Sequence, residues 1–157
     1  MKDTYFMRAA LAEAEKAGKK GEVPIGAVVV QNERIVGKGW NAGITLNDPT
    51  AHAEVQALRE AARNLQNQRL PDCDLYVTIE PCPMCAGALV HARIRRLIYA
   101  AADPKGGGIH SIFRFPFEKT NHTPEIRSGI LAAECGTILK DFFEKRRNAK
   151  RRGGRVV

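Results

Sequence analysis

His52-Ala53-Glu54 and Pro81-Cys82-Pro83-Met84-Cys85 are separated so that 29 residues lie between His52 and Cys82. One imidazole nitrogen and two thiolate sulfurs are donors that a tetrahedral zinc accepts. Three protein donors leave the fourth position to water, as in a catalytic rather than a structural zinc. Water held there ionises near neutral pH. A carboxylate beside it, Glu54, is placed to take the proton and pass it on. Two other readings of the cysteine pair stay open. A structural zinc would need Cys73 or His91 as fourth ligand, and a redox pair would leave His52 and Glu54 without a role.

The spacing constrains the elements that carry these residues. Residues two apart on a regular helix point about 200° apart. His52 and Glu54 can therefore flank one pocket only if a helix begins there. The pattern predicts a helix over 51–64, introduced by Asp48-Pro49-Thr50, and another over 81–92 that starts at the C-x-x-C. Helix N-termini favour thiolate over thiol.

Around these the chain reads as a helix over 3–17 closed by Gly18 and Gly21, then a hairpin from Ile25–Val30 and Ile35–Trp40. Strands follow at Leu75–Ile79 and Leu97–Ala101. Residues 102–123 form a long irregular loop, and an extended piece at 125–127 leads into a helix from about Gly129 through Arg147. This order predicts an α/β fold: a three-layer α/β/α sandwich with a mixed five-stranded sheet and helices on both faces. Cys73 and Cys135 read as buried free thiols. Phe113, Phe115 and Phe117 read either as pins that hold the long loop to the body or to a partner subunit, or as rings that stack on unpaired bases.

The chain has 157 residues, 44% of them apolar and 27% charged, which suits one folded domain. Its 25 Lys and Arg exceed its 17 Asp and Glu by 8. Seven of the cations lie between Lys145 and Arg155, so the rest of the chain is nearly neutral. The expected division is a domain over 1–147 and a flexible basic tail over 148–157, suited to phosphates. No apolar run is long enough for a membrane span, and the N-terminus lacks the apolar core of a signal peptide. A cytoplasmic protein is expected.

The ordered pair matches H-x-E…P-C-x-x-C, the signature of zinc nucleobase deaminases. Further stretches extend the match: Glu22 to Val28, Gly39-Trp40-Asn41, Asp48 to Glu54, Glu80 to Ala88, Asp103-Pro104-Lys105 and Asp141-Phe142-Phe143. With them the chain resembles the bacterial tRNA-specific adenosine deaminases from about Glu22 to Arg147. That resemblance implies a cytidine-deaminase-like fold, one Zn2+ per subunit and a homodimer. It implies conversion of the wobble adenosine of a tRNA anticodon loop to inosine, with loss of ammonia. His52, Cys82 and Cys85 would hold the metal, and Glu54 would carry protons. Asn41 would bond the base or its sugar, the Ala53 backbone would read the purine edge, and Val23 and Ile25 would line the pocket. Asp103 and Lys105 would meet the RNA backbone, and Phe143 and Arg146 would flank the anticodon loop. The alternative is a deaminase of a free nucleobase or nucleoside, of guanine or cytidine type. The chain departs from the family pattern at Ala102, in Gly106–Ser111 and over Ile112–Lys119.

Overall fold

The computed structural model describes residues 2–153. Helix α1 (Lys2–Lys19) is followed by strands β1 (Gly26–Gln31) and β2 (Arg34–Trp40), a short helix α2 (Gly43–Leu46) and helix α3 (Ala53–Leu65). Then come β3 (Cys73–Ile79), α4 (Pro83–Ala92), β4 (Arg96–Ala101), β5 (Glu125–Ser128) and α5 (Ala132–Gly153). The five strands form one mixed sheet in the order β2-β1-β3-β4-β5. β1 runs antiparallel to β2 and β3, while β3, β4 and β5 are parallel.

Alternation along the strands divides the core in two. Ala27, Val29, Leu75, Val77 and Leu97 face α3 and α4. Val28, Val30, Tyr76 and Ile98 face Phe6, Met7 and Ala10 of α1 and Cys135 of α5. The expected α/β/α sandwich is thus the observed one.

Close approach of α3 to the sheet depends on small residues. Ala53, Ala57 and Ala61 recur every four residues and are fully buried. Gly39 of β2 lies under them, and a Cβ there would strike the Ala53 carbonyl and the Ala57 nitrogen. The N-terminal end of α3, where His52 and Glu54 sit, is set by this contact.

Several boundaries differ from the sequence reading. α1 continues through Gly18 and ends before Gly21, which adopts a positive φ. Pro49 does not open α3. It lies in a turn held by Asp48, whose carboxylate accepts the Thr50 N–H at 2.8 Å and hydroxyl at 2.7 Å. The helix starts at Ala53 instead. The last helix passes Arg147 and runs to Gly153, so residues 148–153 of the tail are helical. Ala149, Lys150, Arg151 and Arg152 are good helix formers, and cations suit a helix C-terminus. Arg155 lies outside the described residues.

The long loop is the crossover between parallel β4 and β5, made with only a 3-10 turn at Phe117–Lys119. Phe115 and Phe117 pack with ring centroids 4.7 Å apart against the α4 side of the core, whereas Phe113 is exposed.

Replacing Gly39 by Ala is expected to destabilise the protein by about 1–3 kcal/mol in denaturant unfolding. Gly136→Ala, in helix α5 with open space around it, is expected to stabilise it by about 0.5–1 kcal/mol.

Candidate metal centre

Two helix starts build the site. His52 is the N-cap of α3 and Cys82 the N-cap of α4, both with extended backbone. Neither side chain caps its own helix. Instead they turn toward each other: His52 Nδ1 lies 3.5 Å from Cys82 Sγ and 3.6 Å from Cys85 Sγ. The three donor atoms lie within 4.8 Å of one another. A tetrahedral zinc with ordinary Zn–N and Zn–S bonds would separate nitrogen from sulfur by about 3.6 Å. The donor set and its spacing therefore fit a metal of this kind.

His52 lies just outside α3 and Glu54 in its first turn, so the two flank one point. Glu54 is buried, and burial, with the nearby Cys82 charge, pushes its carboxyl up to about 7. Cys82 accepts from Cys85 and His52 and falls to about 4, while Cys85, as donor to Cys82 and buried, is pushed up. The bond to Cys82 raises His52.

The surrounding residues fall into two groups. Asn41 Oδ1 accepts the Ala53 N–H at 3.1 Å, satisfying a helix-start donor. The Asn41 NH2 makes no hydrogen bond among the described residues. Ile25 and Val23 are half-buried, and Ile25 donates to the Val23 carbonyl at 2.8 Å. Asp103 and Lys105 follow β4, with the Lys105 N–H bonded to the Asp103 carboxylate at 3.0 Å. Phe143 and Arg146 lie exposed on α5, on the other face of the sheet. Arg146 stacks over Phe142 at 5.4 Å.

Two buried carboxylates were legible only as motif letters. Glu22 accepts the Ile44 and Thr45 N–H groups and the Thr45 hydroxyl, at 3.3, 2.6 and 2.7 Å, and so holds α2. Glu80, at the end of β3, holds the loop that follows β4. Burial alone would raise the Glu80 carboxyl, but bonds from His110, Ser111 and Asp103 outweigh it and hold it at about 2. An acidic residue between an apolar strand and Pro81 was the available signal. His110 and His122 are tied locally, to the Tyr99 hydroxyl at 2.8 Å and the Ile94 carbonyl at 2.6 Å.

Residues 1–147 match the MafB19-like deaminase family. The tRNA-specific adenosine deaminase of Haemophilus influenzae is 54% identical over 151 residues, 95% of this chain and 87% of that protein. That of Agrobacterium fabrum is 50% identical over 145 residues, 92% of this chain and 95% of that protein. A structure solved in a study of A-to-I editing by tRNA:A34 deaminases superposes with a TM-score of 0.83 at 50% identity, covering 87% of this chain and 99% of that one. With this likeness over nearly its whole length, the chain belongs to the tRNA-specific adenosine deaminase family.

Proposed function

We propose that the protein hydrolyses the wobble adenosine of a tRNA anticodon loop to inosine and releases ammonia, using one Zn2+ per subunit. The observation that carries this reading is the buried Glu54 beside the His52, Cys82 and Cys85 donors. Bound by those donors, zinc would bring water ionisation toward neutral pH. Glu54 takes a proton from the attacking water and delivers it to N1 as the water oxygen bonds to C6; it then moves the second proton, from that C6 hydroxyl, to the amine, so that the C6–N bond breaks, ammonia leaves and the C6 carbonyl of inosine forms. Asn41, Val23 and Ile25 hold the base. An anticodon-loop nucleotide leaves its stack at low cost, which favours a hairpin loop over a duplex.

Asp103 and Lys105 meet the RNA backbone on one side, and Phe143 and Arg146 flank the loop from α5. The cations of the α5 extension add phosphate contacts that do not read sequence. A second copy covers the apolar groove between α3 and α4, lined by Val55, Leu58, Ala62, Leu70, Ala88 and Ala92. No helix among the described residues is long and apolar enough to cross a membrane, and we place the enzyme in the cytoplasm with its tRNA.

The primary test incubates the zinc-loaded protein with a tRNA anticodon stem-loop and reads adenosine-to-inosine conversion by sequencing. Absence of inosine overturns the proposal. Cys82→Ser is expected to lower bound zinc well below one per chain, measured by atomic emission. Glu54→Gln is expected to cut kcat by about 100-fold or more while zinc content and RNA affinity persist. Truncation after Arg147 is expected to weaken RNA binding and flatten its salt dependence, with the saturated rate retained.

A further inference from the structure

The crossover from β4 to β5 has almost no secondary structure, so its shape must be held by other bonds. Glu80, 1% exposed, supplies them. Its Oε1 accepts the Asp103 N–H at 3.2 Å and the Ser111 hydroxyl. Its Oε2 accepts the N–H groups of Ile109, His110 and Ser111 at 3.0, 2.8 and 3.0 Å. Gly107 passes so close that a Cβ would strike the Glu80 carboxylate. The next carbonyl, Pro81, accepts the Gly108 N–H at 2.7 Å. The loop is thereby fastened to the segment that carries Cys82.

We propose that Glu80 is a positioning residue that acts through the Asp103 main chain and fixes the RNA-facing loop relative to the metal donors. It governs capture of the RNA more than the chemical step. This rests on the reading of Asp103 and Lys105 as RNA contacts.

Glu80→Gln separates the two ends of the loop. With its oxygen in the Oε2 place, Gln keeps the donors of Ile109, His110 and Ser111. Its NH2 then faces the Asp103 N–H, donor against donor, while the Ser111 hydroxyl can turn to accept. The Asp103 end is released and the other end stays docked.

The experiment compares the wild type, Glu80→Gln, Asp103→Ala and the double variant. It measures Kd for a labelled anticodon stem-loop, kcat and KM for inosine formation, bound zinc and thermal midpoint. Glu80→Gln is expected to raise Kd and KM about tenfold, the equivalent of one lost hydrogen bond, with a smaller change in kcat. In the Asp103→Ala background it should add less than in the wild type, because part of its effect runs through the Asp103 contact and the rest through Lys105. Additive effects, or a fall in kcat with unchanged KM, overturn the positioning role. Amide exchange in the wild type provides a reading free of variant folding: an unprotected Asp103 amide also overturns it. Wild-type protein that binds and edits no stem-loop overturns the functional reading itself, whereas wild-type turnover with an uncoupled Glu80 overturns only the positioning role.

Discussion

Two helices have to begin at one point. Three donors from distant parts of the chain meet only because the N-cap of α3 and the N-cap and first turn of α4 arrive side by side. Using His52 and Cys82 as N-caps gives up the usual Ser, Thr or Asp caps, worth about 1 kcal/mol each. The start of α3 recovers one donor through Asn41. The bare faces of Ala53, Ala57 and Gly39 then let α3 lie flat enough on the sheet to bring its end into place.

The same geometry orders the chemistry. Parallel strands β3 and β4 end on the side where α4 starts, so the loops leaving them border the donors, as ligand sites in open α/β sheets do. Burial raises the Glu54 carboxyl. One carboxyl is left poised near neutrality because it is dry, and another, Glu80, stays ionised because five donors surround it. Two acids within one short region thus serve different ends.

Much of this was legible in the residues. Apolar periodicity places the helices and strands, and the requirement that His52 and Glu54 share a pocket places a helix start at that motif. What escaped were contacts made by main chain across long separations. Pro49 reads as a helix entry because its φ suits one, yet Asp48 closes a turn first. The loop after β4 has no period because its order comes from a buried carboxylate, isolated main-chain bonds and two packed rings rather than from a repeating pattern. The sequence reading ends α5 at Arg147 because the charges beyond it read as a flexible tail, although Lys and Arg are good helix formers.

The Glu80 cradle has a consequence for how the molecule can change. Four of its five bonds come from main-chain N–H groups, which every residue except proline offers. Gly107 is tied by space and Ser111 by its hydroxyl. Side chains such as Ile112 and Phe113 project outward and are free of the cradle. The loop can therefore exchange its outward letters and keep its shape while the metal donors stay where they are.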